Sequence, residues 1–435
     1  MDETTFPIAK SRSARLIAYK TFADLAGKGS LFVITIVAAR RLSPESFGVF
    51  SLGSTLGWIV AVVSDCGIQL HLARAIARRP ADAALLLRGW LRVRIWTTGG
   101  ALAMVALLLA GGWRAASATP IAVLAVVYAC SGLVELLHYF YRGLSRSDVE
   151  SSLILWQRGG TLVCGLIALA WKPDVTVLAI ALLIPAAITL AMSLRIAASL
   201  APGRPEGLHY ESPEGLHDES PEGLPVSSWP VFRRDVWPIG AGIVLSALYF
   251  RIDLFLLELW SGTEAVAFYN AVFRLVEALR LFPAAAVAVV LPSLVRAGDR
   301  RALMRVAAPL TGFAVASAAV LWIAAGWLIP FLYGAPYAAA VPAFRVLLLS
   351  FPLLSLNLVL THQLVGWDGQ RAYAALCAAA LAINVGLNAR LIPAFSLEGA
   401  AWSTLATEIF LTAGCSAALW SMRAPAQARH LVTEA

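Results

Sequence analysis

The sequence predicts an all-α polytopic membrane protein, with about twelve transmembrane helices in two six-helix lobes related by a pseudo-two-fold axis along the membrane normal. Three observations carry that prediction. Of the 435 residues, 59% are hydrophobic and only 14% charged, against about 25% charged in a typical soluble domain. Apolar runs of roughly 17 to 25 residues, the length that crosses a hydrocarbon core about 30 Å thick, recur along the whole chain. The chain also divides into two halves that read as copies of one pattern.

Residues 1–20 are polar and basic, with Lys10, Arg12, Arg15 and Lys20, and read as a cytoplasmic N-terminal segment. They lead into a full-length apolar run with no small-residue cleavage site, so the first helix is expected to act as its own signal anchor. Spans follow at 22–39, 47–70, 95–112, 120–140, 153–171 and 175–194, which makes an N-terminal lobe of 21–194. A second set at 238–259, 265–291, 306–329, 342–364, 373–392 and 399–420 fills a C-terminal lobe of 238–422, followed by a cytoplasmic tail at 423–435. Between the lobes, 195–237 carries three copies of Pro-Glu-Gly-Leu, beginning at Pro205, Pro213 and Pro221. A repeat rich in Pro, Gly, Glu and Ser cannot bury a core, so this connection is expected to be a flexible cytoplasmic linker.

Charge placement gives the orientation. Most Lys and Arg fall on the side of the two termini, including the run from Arg74 to Arg94, while the other side holds Arg40, Arg41, Arg114, Lys172 and Arg390. The positive-inside rule then puts both termini in the cytoplasm. The formal net charge of +8 sits between apolar runs, where it suits anionic membrane lipids and not nucleic acid. The five cysteines all lie in apolar runs without a CxxC pair, which points to small packing residues, with neither a disulfide framework nor a metal site.

The halves match in detail. SPESFGVF at 43–50 aligns with GTEAVAFY at 262–269, each joining the first span of its half to the second. Arg142-Gly143 and Val365-Gly366 both close a fourth span. Parallel six-helix repeats are an arrangement of transporters that alternate access to a site between lobes.

Charges inside the spans point to that site. An ionised side chain near a bilayer midplane costs roughly 2.5 to 3.5 kcal/mol and is tolerated mainly facing a bundle interior or a wet cavity. Arg274, Glu277 and Arg280 at i, i+3, i+6 share about a third of one helix circumference. They read either as a cationic wall moderated by Glu277 or as an intrahelical ion pair. Arg251 and Asp253 are about 200° apart around their helix and must meet different neighbours. Asp24 and Lys28 are spaced as an i, i+4 pair. Glu135 and His138 are either a proton-carrying pair or a hydrogen-bonded packing cluster. Arg158 reads as a side chain snorkelling to the interface, and Asp65, His362 and Glu408 as helix-end residues.

The chain resembles the polysaccharide-type lipid-linked oligosaccharide flippases of the multidrug/oligosaccharidyl-lipid/polysaccharide exporter superfamily. The residues that carry the resemblance are LAGKGSLFVITIVAARRLSPESFGVFSLG at 25–53, Asp65-Cys66-Gly67, RIDLFLL at 251–257, FYNAVFRLVEAL at 268–279 and NVGLNARLIPAFSLEGAAWST at 384–404. Ser396 stands where relatives often carry Gly. The resemblance implies a flippase, not an enzyme, for an undecaprenyl-diphosphate-linked glycan, with a polysaccharide polymerase and glycosyltransferases as pathway partners. A diphosphate needs cations, and the planar fork of Arg holds two phosphate oxygens at once. Substrate-binding candidates are therefore Arg274, Arg280, Arg251 and Lys28. Candidates for H+ or Na+ coupling are Asp24, Asp253, Glu277, Glu135 and His138; no other cofactor, no metal and no catalytic residue is expected. A drug or cation antiporter of the same superfamily would favour an acidic cavity. A polytopic polymerase or ligase would need a sizeable extracytoplasmic loop, and the predicted outside loops are short.

Overall fold

The computed structural model describes residues 6–113, 117–200, 237–287, 290, 300–367 and 369–422, without the side chains of 6–18, 21, 24, 238, 239 and 300–302. The Pro-Glu-Gly-Leu repeats, the tail at 423–435 and the Asp24 side chain lie outside them.

The described residues are helical with short turns. In order they form α1 (Phe6–Arg41), α2 (Pro44–Asp65), α3 (Ile68–Arg78), α4 (Ala83–Ala110), α5 (Ala118–Gly143), α6 (Ser147–Trp171) and α7 (Val175–Leu200). Then come α8 (Trp237–Leu279), α9 (Arg300–Tyr333), α10 (Val341–Gly366) and α11 (Gln370–Ser421). Nine helices among the described residues are long and apolar enough to cross a membrane. Two of them, α8 and α11, break at Gly262 and Ser396 and cross twice. With α1, twelve crossings result.

Local chemistry explains the matched strings. Ser43 accepts a hydrogen bond from the Ser46 backbone N–H at 3.2 Å, and Pro44 opens α2 where no helical N–H is lost. In the second half the same role falls to Gly262, whose φ of 83° favours glycine. Ser396 breaks α11 at φ 48° and ψ −121°, a glycine conformation held by serine.

One predicted boundary is corrected. The span drawn to residue 70 ends at Asp65, and the arginine-rich loop begins with a separate helix, α3. Cys66 and Gly67 turn the chain through left-handed conformations, and the Asp65 carboxylate accepts the backbone N–H groups of Gly67 (3.1 Å) and Gln69 (3.2 Å). Its other partner is buried Arg94, at 3.5 Å. Asp65 thus caps a helix and anchors an arginine. In α3, Ile68, Leu72 and Ile76 repeat every fourth residue and are buried, while Arg74 and Arg78 are exposed.

Packing follows the two halves. α1 packs on α6, α2 on α5 and α5 on α7; α8 packs on α11, α10 on α11 and α9 on α10; the halves meet mainly through α2 against α8. Their cores are distributed unequally along the molecule. Near the face where α1 ends, one continuous cluster includes Phe47, Phe50 and Leu124 of the first half with Leu254, Tyr269, Phe273 and Phe344 of the second. Toward the face holding the helix ends near the termini, each half keeps its own cluster, around Trp90 and Tyr141 in one and Leu364 and Trp367 in the other. The lobes therefore share one core at the far face and keep separate cores near the terminal face, where they still touch through the backbones of Gly240 and Cys66.

Small residues make that joint. A Cβ on Gly48 would lie 2.1 Å from the Thr263 carbonyl oxygen. With lipid outside, close backbone approach of this kind is a main source of helix association. At the far face Arg40 also reaches across to the α9 C-terminus, donating to the backbone carbonyls of Leu332 (2.8 Å) and Phe331, and the Phe47 and Tyr337 rings meet edge-on at 6.2 Å. Around the outside, Ile323 is 83% exposed and Trp96, Trp171 and Trp420 at least 74%, as expected for a lipid-facing girdle with interfacial tryptophans.

Candidate functional site

A cavity of about 770 Å³ lies between the halves, lined by α1, α2, α5, α6, α7 and both halves of α8. It runs from Ser51 and Asn270 at the joined end to Arg142 and Glu150 near the terminal face. Its size falls within the roughly 300–1,000 Å³ of small-molecule sites.

The C-terminal wall is built by the charged face predicted on the second half of α8. Glu277 holds two arginines at once: Oε1 accepts from Arg251 at 2.7 Å and Oε2 from Arg274 at 2.9 Å. Both sequence readings are therefore present together, because the ion pair is real and the wall remains cationic. Arg274 and Glu277 keep 31% and 25% of their side chains exposed to the cavity, while Arg251 keeps 4%. Arg251 is packed over the Phe273 ring at 4.5 Å and contacts Asn270 at 3.4 Å. Arg280, just beyond α8, stacks over Phe250 at 4.9 Å and has no carboxylate at ion-pair distance among the described residues.

The N-terminal wall is chemically different. Lys28 of α1 and Arg158 of α6 line the cavity, and no described carboxylate pairs with either. Arg158 was expected to snorkel outward; instead its Cγ lies beside Gly27, where a Cβ would be 3.0 Å away. The helix spacing placed it on a face without saying that α1 packs there. Glu135 and His138 both face the cavity, and the His138 Nε2 is buried without a hydrogen-bond partner. Near the mouth, Glu150 is bound by Arg142 and, at 3.3 Å, by Lys20.

Asp253 stands apart from the other candidates. It is 1% exposed and absent from the cavity lining. Its carboxylate accepts the Tyr269 hydroxyl at 2.7 Å, which in turn meets Thr404 at 3.1 Å, so it belongs to the interior of the second half. Glu408, read as a helix-end residue, sits in mid-span, 2% exposed, accepting a hydrogen bond from Asn357 at 2.7 Å.

Several lining residues were not singled out from sequence. Ser51, Ser54, Thr55 and Trp58 follow one another at i, i+3, i+4, i+7 and give α2 a polar stripe within an apolar helix. The Ser54 and Thr55 hydroxyls are buried without partners. Gln157 donates to Ser131 at 3.2 Å across the same wall, near Tyr128. That stripe was the legible signal. Together the walls offer cations without a carboxylate partner among the described residues, and hydroxyl, amide and aromatic groups.

Comparisons with known proteins agree with this architecture. The structure is similar to the lipid II flippase MurJ in an inward closed conformation, with a TM-score of 0.65 at 12% identity over 92% of this chain and 87% of that one. It is also similar to the inward-facing conformation of a multidrug resistance MATE family transporter of the MOP superfamily, with a TM-score of 0.65 at 16% identity over 95% of each chain. A MOP superfamily transporter from Pyrococcus furiosus matches with a TM-score of 0.57 at 15% identity, over 96% of this chain and 95% of that one. At such identities the likeness is one of fold. A search of curated protein sequences gave no match. Residues 13–297 match the family model described as polysaccharide biosynthesis protein, most of the chain, and the chain therefore belongs to the polysaccharide biosynthesis protein family.

Proposed function

We propose that the protein is a flippase that carries an undecaprenyl-diphosphate-linked oligosaccharide across the bacterial cytoplasmic membrane by alternating access, for O-antigen, capsule or exopolysaccharide synthesis. The observation that supports this most is the set of cavity cations with no described carboxylate at ion-pair distance: Lys28, Arg158 and Arg280, with Arg274 only half committed to Glu277. Each unpaired charge held within a membrane costs roughly 2.5 to 3.5 kcal/mol, and an anionic cargo offsets that cost. The diphosphate would take Arg274, Arg280, Lys28 and Arg158, with Arg251 acting behind Glu277. The first sugars would meet the α2 stripe and Trp58. The lipid tail stays outside, in the bilayer.

Rocking of the lobes that opens the far-face joint would then release the cargo on the opposite side. With both termini cytoplasmic, the end of the cavity at Arg142 and Glu150 lies toward the side on which such cargo is made. H+ or Na+ coupling is assigned to the acidic set of Asp24, Asp253, Glu277 and Glu135 with His138, and a polymerase and glycosyltransferases are the expected pathway partners. A cationic drug is a poor alternative cargo, because cations outnumber carboxylates along the cavity wall.

The test is a deletion strain scored for surface glycan and complemented with an Arg274→Ala/Arg280→Ala double variant at normal expression. Loss of surface glycan is expected. Full complementation would remove the C-terminal wall from the mechanism.

A further inference from the structure

A chain of polar contacts connects the cargo-facing arginine to the joint between the lobes. At the deep end of the cavity, the Asn270 amide of α8 donates to the Ser51 hydroxyl of α2 at 2.9 Å, and both groups are buried. This bond crosses from one half of the molecule to the other. The same Asn270 accepts from Arg251 through its oxygen at 3.4 Å, Arg251 grips one oxygen of Glu277 at 2.7 Å, and the second oxygen holds Arg274 at 2.9 Å. The weakest link by distance is Arg251 to Asn270, near the limit for a hydrogen bond.

We infer that Asn270 and Ser51 are positioning residues that couple anion binding at Arg274 to the closure of the far-face joint. The inference rests on the proposed diphosphate cargo. A phosphate that takes the donors of Arg274 releases one oxygen of Glu277. That carboxylate, left with a single cation, engages Arg251 with both oxygens in the favoured fork geometry and draws the guanidinium away from Asn270. The Asn270 amide then loses the contact that orients it toward Ser51, and the bond between the lobes weakens. Coupling of this kind is reciprocal, so a joint already weakened binds the anion more tightly.

The experiment uses the full chain in nanodiscs with undecaprenyl diphosphate as the probe. Spin labels at Glu45→Cys and Ala339→Cys, both exposed at the far face on opposite halves, report the joint in a background lacking the five native cysteines. In the otherwise wild-type chain the probe is expected to lengthen the label distance. Ser51→Ala is expected to lengthen it without probe and to tighten probe binding by about three- to tenfold, the worth of one net hydrogen bond. Ser51→Thr, which keeps the hydroxyl, is expected to restore both readings. Unchanged or weakened binding in Ser51→Ala overturns the coupling alone. Failure of the wild-type chain to bind the probe overturns the cargo reading with it.

Discussion

The two walls of the cavity carry similar charges and hold them differently, although Arg280 on one wall lacks a described carboxylate partner and Glu150 on the other is paired. On the C-terminal wall, Arg251, Glu277 and Arg274 form a closed triad, with Arg251 sealed between aromatic rings. On the N-terminal wall, Lys28 and Arg158 face the cavity with no described carboxylate at ion-pair distance, beside hydroxyl groups on α2 that also lack partners. The difference separates two tasks that a single count of buried charge would merge. The triad stabilises the wall and holds Arg274 in place, whereas the cations without a described carboxylate partner are held at a cost that an anionic cargo would offset on the proposed function.

The contrast breaks most visibly at Glu277. Glu277→Gln leaves Arg251, 4% exposed, without its counter-ion, and removing one partner of a buried pair costs about 3 kcal/mol or more. Unfolding in detergent is expected to show that loss, the largest of any single change in the cavity. Arg158→Ala tests the other wall. It deletes no ion pair, so stability is expected to move by less than about 0.5 kcal/mol while affinity for undecaprenyl diphosphate falls roughly tenfold or more, as for a lost charge-assisted contact. Equal stability losses in the two variants would erase the distinction between the walls.

A smaller effect is expected at the far-face joint. Arg40→Gln weakens the contact with the α9 carbonyls, worth about 1 kcal/mol at a helix C-terminus, and the label distance across the joint is expected to lengthen with cargo affinity little changed. The smallest is at Ser396, where serine occupies a glycine conformation. Ser396→Gly is expected to raise stability by up to about 1 kcal/mol, read by thermal unfolding. Gly262→Ser, the matched change in the first break of this half, is expected to lower it.

Much of this was legible in the sequence. The apolar runs located twelve crossings, SPESFGVF and its counterpart marked the second helix of each half, and the i, i+3, i+6 spacing of Arg274, Glu277 and Arg280 placed them on one face. Spacing fixes a face, though, and never names the helix opposite. That is why Arg158 read as an interfacial side chain, why Asp253 was grouped with residues of a cavity it does not line, and why the cross-lobe bond from Asn270 to Ser51 gave no signal. α3 was missed because its apolar residues, Ile68, Leu72 and Ile76, recur every four positions among arginines, a pattern too sparse to register as a span. The distribution of core clusters, joined at one face and divided at the other, is a property of three-dimensional packing that no window of sequence carries.

On the proposed function, the cavity cations without a described carboxylate partner hold a diphosphate-linked cargo while it crosses. The most direct measurement is transbilayer movement of a fluorescent undecaprenyl-diphosphate-linked oligosaccharide in proteoliposomes, comparing the wild-type chain with an Arg158→Ala/Arg280→Ala variant reconstituted at equal density. The wild-type chain is expected to accelerate the movement, and the double variant to lose that acceleration by at least about tenfold. A double variant as fast as the wild-type chain would contradict it.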